Sequence, residues 1–281
     1  MASGSLRPLR QTARSQDRLT GAIPLVATVV LETDHDCLVD ERLDALGQII
    51  DHLSRIKGGK PIVALFPAGW FEVSSSPTEG DLDRTVTTIR DLLPPASSVS
   101  VTFGIDGRGG RDQLAAAVTT EGLVALARKF HAAGDEDPAV LADHWLAGEQ
   151  GLPRIARMFD TDFFLAVCYD CFGPKHLGLP PPGAAAVLVH THGFRRRGEP
   201  LSGDVQFARK GIAGLARHWR LPVFAGAVFS GRPCPPRWPS GVMVRDSNMT
   251  EWTYEQNGLA PDDEITVETD SGRAIVRAFA F

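Results

Sequence analysis

The sequence predicts an α/β protein whose sheets are covered by helices. Short, almost continuously apolar segments such as 23–31 and 163–167 recur along the chain, as expected of strands that are buried on both faces. They alternate with amphipathic stretches, of which 41–56 places its leucines and isoleucines on one helical face. The composition agrees, because 43% of the 281 residues are hydrophobic and 22% are charged. Such a chain can bury a large core.

Proline residues set several element boundaries. The strand at 60–67 ends at Pro67, which lacks the N–H group that a central strand needs. The helix at 81–93 ends before a pair of prolines. The segment 115–131 predicts two strands about a turn at its Glu-Gly pair. The other predicted elements are strands at 97–105, 163–170, 184–192, 222–229 and 241–248, and helices at 151–159 and 204–220.

Residues 1–20 are predicted to form a flexible tail ahead of a single domain at 21–281. The tail carries four arginines among small and polar residues, with almost no apolar periodicity. A transit peptide can share this Arg-rich, acid-poor composition, although no amphipathic helix is evident.

The overall charge indicates neither a nucleic acid nor a membrane as partner. The net charge is -5 and the pI is about 5.9, whereas binding to a polyanion requires a clustered basic face. Apolar runs are shorter than the roughly 18 residues that cross a bilayer.

Four cysteines are too few for a disulfide framework in a chain of this length, so reduced thiols are expected. We therefore expect a cytoplasmic protein that needs no cofactor and no metal.

A cysteine stands where the apolar segment 163–167 turns polar. Cys168 is followed by Tyr169 and Asp170, so a strand delivers a thiol to the edge of a sheet. At a sharp elbow the N–H group of Tyr169 can point at a developing oxyanion. A nearby ammonium group such as that of Lys129 would lower the pKa of the thiol and raise its thiolate fraction. The alternative for Cys168 is a small buried hydrophobic residue.

Four segments in this order resemble the carbon-nitrogen hydrolases, or nitrilase superfamily. They are KPIVALFPAGWF, VALARKFH, FFLAVCYDCFGP and LARHWRLPVFAGAVFSG, and the resemblance extends from about residue 23 to about residue 256. It implies a four-layer α-β-β-α sandwich and a homodimer or higher homo-oligomer. It also implies a cysteine-dependent hydrolase that acts on an amide or related C–N bond of a small molecule through a thioester acyl-enzyme.

The resemblance assigns roles to particular residues and shows one departure. It implies that Cys168 is the nucleophile, Lys129 its partner and Glu136 an auxiliary acid. It places a catalytic glutamate directly after Pro67, but the residue there is Ala68. Loss of a positioned general base typically costs about 10² to 10⁴ in rate, which leaves either a weak enzyme or a protein without turnover.

Several side chains are candidates to complete the site. Glu72 and Glu136 are possible substitute acids, and each can also be a solvated loop carboxylate. His190 and His192 alternate along a predicted strand and so point to one face. With Tyr169 they are predicted to contact substrate, and one histidine could serve as the missing base. The alternative for each is a hydrogen-bonded structural histidine. A metal site at these histidines would need a third ligand that the sequence does not place.

Three functions remain open from the sequence. The first is the cysteine hydrolase, and the second is a nitrilase-like protein without turnover that acts as a ligand-binding or regulatory module. The third is a thiol redox or zinc protein, since Cys168 and Cys171 have the C-x-x-C spacing. Reversible formation of a disulfide would distinguish the third, and trapping of an acyl adduct would distinguish the first from the second.

Overall fold

The computed structural model describes residues 23–33, 39–56, 59–95, 97–134, 136–195, 203–235, 238, 240–243 and 258–281. The predicted tail at 1–20, and most of the strand predicted at 241–248, lie outside these ranges.

The described residues form thirteen strands and several helical segments. The strands are β1 (Leu25–Thr33), β2 (Ile62–Leu65), β3 (Phe71–Val73), β4 (Val99–Gly107), β5 (Arg111–Thr119), β6 (Gly122–Arg128), β7 (Ile155–Met158), β8 (Thr161–Val167), β9 (Ala186–Phe194), β10 (Val223–Ser230), β11 (Gly241–Val242), β12 (Asp263–Thr269) and β13 (Gly272–Phe279). The helices are α1 (Val39–Ser54), α2 (Glu79–Leu92), α3 (Gly173–Leu177), α4 (Asp204–Gln206) and α5 (Ala213–Trp219), with a π-helical segment at Phe207–Ile212 and 3-10 turns at Pro138–Val140 and Cys168–Cys171. None of the helices in this part of the chain is long and apolar enough to span a bilayer.

The main strand order is β6-β5-β4-β2-β1-β10-β9-β8-β7. Strand β1 joins its two halves, because residues 25–28 pair with β2 and residues 30–33 pair with β10, both in parallel. Strand β13 runs antiparallel along β1 and is itself paired with β12. The two halves of the sheet therefore share one central strand.

Two hydrophobic cores give the molecule four layers. In one core the apolar faces of α1 and α2 cover β1, β2 and β4. In the other, alanines of β5 and β6 meet the phenylalanines of β8, and α5 covers the outer side of β9 and β10. The predicted α/β fold class is thus confirmed, with helices outside two stacked sheet halves.

Five strands that carry candidate residues run in the same direction. Strand β4 is parallel to β2, and β6 returns to that direction through the antiparallel pairs β4–β5 and β5–β6. Strands β8 and β9 are parallel to each other and, through β10, to β1. The carboxyl ends of such strands meet at one side of the sheets, where ligands bind in open α/β proteins.

One predicted element is wrong, and the short elements β3 and α3 and the hairpin of β12 and β13 were not predicted. The segment 151–159 was expected to be helical, but it contains β7, which pairs with β8 across a turn in which Phe159 and Asp160 have φ of 51° and 60°. Its apolar residues fit an alternating strand as well as a helix, and pairing with β8 decides between them. The sequence reading did not identify the hairpin of β12 and β13 as strands. The helix expected at 204–220 is present, with its π-helical segment inside it.

Candidate active site

Cys168 stands on a strained turn immediately after β8. Its φ is 46°, a left-handed conformation that residues with a Cβ adopt at a cost, and its side chain is 8% exposed. The 3-10 turn Cys168–Cys171 then redirects the chain into α3. Such an elbow holds a thiol at the end of a strand and turns it towards the pocket side of the sheet.

Asp170 connects this turn to the end of β6. Its Oδ1 atom accepts hydrogen bonds from the N–H groups of Phe130 and His131, at 2.8 and 2.9 Å. Its Oδ2 atom accepts from the N–H group of Val167 at 3.0 Å and lies 3.3 Å from Nη1 of Arg154. One buried carboxylate thus fixes the cysteine turn against the segment that follows Lys129.

Lys129 is buried and paired with a carboxylate. Its Nζ lies 2.6 Å from Oε1 of Glu136, and the residue is 2% exposed. Oε2 of Glu136 accepts a hydrogen bond from the N–H group of Ala133 at 2.8 Å. The Lys129 Nζ also lies 5.7 Å from the centre of the Tyr169 ring. The lysine is therefore held next to the cysteine turn.

His192 interacts with both the thiol and a second carboxylate. Its Nε2 lies 2.5 Å from Oδ2 of Asp106, which is the penultimate residue of β4. The charge of the His192 side chain also acts on the Cys168 thiol and favours its thiolate form. Because Val167 pairs with His190 across β8 and β9, the residue two positions further along β9 lies beside the cysteine. The thiol, the imidazole and the carboxylate therefore form one electrostatically coupled group, in which Asp106 fixes the imidazole.

Neighbouring charges tune the thiol and the imidazole in opposite directions. Burial alone would raise the pKa of Cys168, but the charge and hydrogen bond of His192, and then the charge of Lys129, lower it below its ordinary value. Burial lowers the pKa of His192, yet the charges of Asp106 and Cys168 outweigh it and bring the pKa to about 10. The arrangement raises the fraction of thiolate at Cys168 and keeps the His192 imidazole protonated at neutral pH.

A cavity of about 490 Å³ lies beside the Lys129–Glu136 pair. It is lined by Gly109, Gly110, Arg111, Asp112, Gln113, Lys129, Glu136, Asp137, Val140 and Leu141. Its volume falls within the range of small-molecule pockets, and its lining combines charged side chains with apolar surface.

Solved structures show what this architecture resembles. A variant of an amidase of the nitrilase superfamily from Nesterenkonia AN1 superposes with a TM-score of 0.57 at 17% sequence identity, over 92% of this chain and 91% of that one. A carbon-nitrogen hydrolase from Helicobacter pylori G27 gives 0.55 at 13% identity, over 90% and 89%. The fold is that of nitrilase-superfamily amidases.

A further structure of the Nesterenkonia amidase bears on chemistry in that protein. It shows the covalent addition of the acetamide moiety of fluoroacetamide at the active-site cysteine, and it matches this chain with a TM-score of 0.57 at 17% identity, over 92% of this chain and 91% of that one. The sequence matches no protein-family model and no curated protein. The nitrilase-type likeness therefore rests on the three-dimensional structure and concerns the fold.

The structure brings together five of the predicted site residues. Cys168, Lys129, Glu136, Tyr169 and His192 lie around the cysteine turn, with Tyr169 39% exposed. The roles assigned to them remain predictions.

His190 and Glu72 have other partners. His190 is 0% exposed, its Nδ1 lies 2.8 Å from the carbonyl oxygen of Phe66, and burial lowers its pKa to about 4. This geometry fits a neutral structural histidine, and substrate contact for His190 stays a prediction. Glu72 is exposed on β3, where its carboxylate accepts a hydrogen bond from the N–H group of Gly109.

Ala68 lies next to the strand that carries the histidines. It is 3% exposed, and its N–H group donates to the carbonyl oxygen of Thr191 at 3.2 Å. The neighbouring Gly69 is in close contact with the carboxylate of Asp106: a Cβ at Gly69 would stand 3.0 Å from Oδ2. The His192–Asp106 pair therefore lies at the carboxyl end of β2, next to the position where the family resemblance places a glutamate.

Sequence reasoning missed Asp106. Its only local signal is a carboxylate at the end of the apolar segment 99–105, a pattern that most surface turns share. Its partnership with His192 depends on β4 and β9 meeting across the sandwich, 86 residues apart in sequence.

The second cysteine of the C-x-x-C spacing has a different environment. Cys171 is 1% exposed, and burial raises its pKa well above the ordinary value. A poorly ionised, enclosed thiol is a weak redox partner or metal ligand. Among the residues that the structure describes, no group of three or more histidine, cysteine or acidic side chains is arranged to hold a metal ion.

Proposed function

We propose that this protein is a cysteine-dependent hydrolase that cleaves an amide or related C–N bond of a small molecule. The observation that carries the proposal is the thiol of Cys168, which stands on a left-handed turn after β8 with its pKa lowered by two cationic neighbours. A buried cysteine kept only for packing has no need of either a strained turn or neighbouring cations.

The proposed reaction has two steps. The Cys168 sulfur forms a bond to the carbonyl carbon, the C–N bond breaks, and the amine or ammonia leaves with a proton. Water then forms a bond to the thioester carbon, the C–S bond breaks, and a carboxylic acid leaves while the sulfur is restored. The two steps together consume one water molecule and need no cofactor.

Two donors are positioned to hold the oxyanion that develops in each step. Lys129 is fixed by Glu136 at 2.6 Å beside the turn, and the N–H group of Tyr169 directly follows the nucleophile. Such donors act best in a site from which water is largely excluded, and Lys129 is 2% exposed. Glu136 is thereby proposed to position Lys129.

The first test combines labelling with turnover. Fluoroacetamide, whose acetamide moiety adds to the active-site cysteine in a variant of the Nesterenkonia amidase, should label Cys168 faster than Cys234. Intact-protein and peptide mass spectrometry measure this difference. Ammonia release should be measured with acetamide, acrylamide and propionamide. Cys168→Ala should lose both labelling and turnover.

Cys234→Ala is the matched control, because Cys234 is also buried and free, and burial raises its pKa to about 12. This variant should keep both activities. If Cys168 reacts no faster than Cys234 and none of the amides releases ammonia, the hydrolase proposal fails. Saturable amide binding without ammonia release would favour the ligand-binding protein instead. The homodimer and the cytoplasmic location stay predictions.

A further inference from the structure

His192 follows the point where β9 pairs with the end of β8, next to Cys168. Its charge acts on the thiol, while its Nε2 is bound at 2.5 Å to Oδ2 of Asp106. That bond fixes the ring and its tautomer, because a carboxylate accepts the Nε2 proton and leaves Nδ1 as the basic nitrogen of the neutral ring. The His192 side chain is 27% exposed and that of Asp106 is 3% exposed. The carboxylate of the pair is thus buried, whereas part of the imidazole ring is accessible to substrate and water.

The other candidate acceptors are engaged elsewhere. Both oxygens of Glu136 are occupied, one by Lys129 and one by the N–H group of Ala133. Glu72 is exposed on β3, and its carboxylate accepts a hydrogen bond from the N–H group of Gly109. His190 is fully buried and bound to Phe66 through Nδ1; its Nε2 has no partner among the described residues, but burial lowers its pKa to about 4 and makes it a poor proton acceptor.

The charges around the pair favour transfer of the proton to the ring. The carboxylate of Asp106 binds the imidazole, and the charge of Lys129 acts on the thiol. The first stabilises an imidazolium and the second stabilises a thiolate. Oδ1 of Asp106 is buried without a hydrogen-bond partner among the described residues, so its oxygens are not fully neutralised by other donors.

We infer that His192, oriented by Asp106, is the general acid and base of the hydrolase proposed above. His192 takes the proton of the Cys168 thiol and donates it to the nitrogen that leaves as the C–N bond breaks. It then takes a proton from the water that attacks the thioester and returns that proton to the sulfur as the C–S bond breaks. Asp106 keeps its charge throughout and acts as a positioning residue. This inference rests on the proposed function, and it explains how the site handles protons with alanine at position 68.

The test measures the thiol and the turnover separately in His192→Asn and Asp106→Asn. Alkylation of Cys168 by iodoacetamide is followed from pH 5 to pH 10. Its rate at low pH should fall in both variants. In His192→Asn the rate at pH 6 should fall about tenfold or more, which corresponds to a rise of one unit in the thiol pKa. Ammonia release should fall about 10² to 10⁴-fold in His192→Asn. When turnover is measured against pH, the activity of Asp106→Asn should also begin to fall at a lower alkaline pH than that of the wild type.

The matched control is His176→Asn. His176 is an exposed histidine on α3 whose ring lies 3.2 Å from that of His131. This variant should keep the wild-type alkylation profile and turnover. If the alkylation profile and turnover of His192→Asn coincide with those of the wild type, the inference is overturned, even when Cys168→Ala still abolishes activity. If Cys168 is not labelled in the wild type, the proposed hydrolase itself is refuted.

Thermal unfolding of each variant checks that the fold is retained, and His192→Gln provides a second substitution. A readout on the native protein does not depend on any variant. Nuclear magnetic resonance of ¹⁵N-labelled histidines should find the His192 ring protonated at pH 8 and less readily protonated once Cys168 is alkylated. A neutral ring at pH 8 would contradict the inference.

Discussion

Nη1 of Arg154 lies 3.3 Å from Oδ2 of Asp170, and neither side chain is exposed. The guanidinium group also donates to the carbonyl oxygens of Ala147 and Leu165, so the ion pair lies inside a network of buried hydrogen bonds. Removal of one member of a buried pair leaves the other charge uncompensated, which typically costs about 3–5 kcal/mol.

Asp170→Asn should therefore lower the free energy of unfolding by about 3–5 kcal/mol in denaturant titration. Asp162→Asn is the control, because Asp162 lies at the same 3.3 Å from Arg157 but these side chains are 39% and 64% exposed. We expect at most about 1 kcal/mol there. Equal losses in the two variants would argue that burial does not govern the value of these pairs.

Glu136→Gln should impair turnover, because it weakens the ion pair that holds Lys129 at 2.6 Å. If Lys129 loses its position as oxyanion donor, kcat should fall by up to about 10² to 10³-fold. Glu72→Gln is a close match, since each carboxylate accepts a backbone N–H, from Ala133 at 2.8 Å and from Gly109 at 2.9 Å. It should leave kcat unchanged. A larger loss in Glu72→Gln would return Glu72 to the list of candidate acids.

Gly69→Ala should lower the activity more than its effect on stability would explain. A Cβ there would stand 3.0 Å from Oδ2 of Asp106 and 3.6 Å from Cδ2 of His192, and the φ of Gly69 is +59°. Gly59→Ala carries similar backbone strain, with φ +61°, but its Cβ meets no described atom within 4 Å. Each substitution should cost about 1–2 kcal/mol in unfolding experiments. Only Gly69→Ala should lower the rate of ammonia release, and equal rates would contradict this.

The pH profile of turnover should be bell-shaped with a broad plateau. On the acid side, activity falls when the Cys168 thiolate is protonated, below the ordinary pKa of a thiol because His192 and Lys129 lower it. On the alkaline side, activity falls as the imidazolium of His192 loses its proton near pH 10. Initial rates in buffers of constant ionic strength measure both limbs. A single alkaline pKa near 6.5, the ordinary value for histidine, would show that Asp106 does not support the charge.

His192 should also contribute to stability in a defined pH window. Its pKa rises from 6.5 in the unfolded chain to about 10 in the folded one, so its stabilising contribution is full below pH 6.5 and is lost as the pH rises towards 10. The stability lost in His192→Asn should therefore shrink between these values, as thermal unfolding at several pH values would reveal. A constant difference across the window would contradict the raised pKa.

Ala68→Glu should not increase turnover. The position is 3% exposed and adjoins Gly69, whose backbone is packed against Asp106, so a glutamate would bring a second carboxylate towards a buried one. Like charges at such a site destabilise each other, and the His192–Asp106 pair already accepts protons. Ala68→Gln has the same size without the charge and serves as the control. A gain in ammonia release with Glu but not Gln would show that the base at position 192 is insufficient.

The sequence was sufficient for the features that depend on local pattern. The apolar run before Cys168 predicts a buried strand that ends at a thiol, and the structure has β8 and the strained turn there. Lys129 could be paired with the cysteine because a known family places the two residue types in this order. Their approach in space, through Asp170, follows from hydrogen bonds that a periodicity argument does not include.

The parts that sequence did not predict depend on tertiary pairing. The segment 151–159 has apolar spacings that fit a helix and a strand alike, and the antiparallel partner β8 makes it a strand. His190 and His192 were equivalent in sequence. In the structure His190 is buried and bound to the carbonyl oxygen of Phe66, whereas His192 interacts with the thiol. Asp106 could not be singled out among the acidic residues of the chain without knowledge of which strand ends meet.

The common direction of β2, β4 and β9 has a consequence for how such sites change over time. Their carboxyl ends meet at one side of the sheets, where Ala68 contacts Thr191 and Asp106 binds His192. If His192 accepts the proton of the thiol, an ancestor with acceptors on both β2 and β9 could have lost the one on β2 without losing activity. Searches for distant relatives should therefore compare the chemical groups gathered around the nucleophile in space, as well as the strand that carries each group.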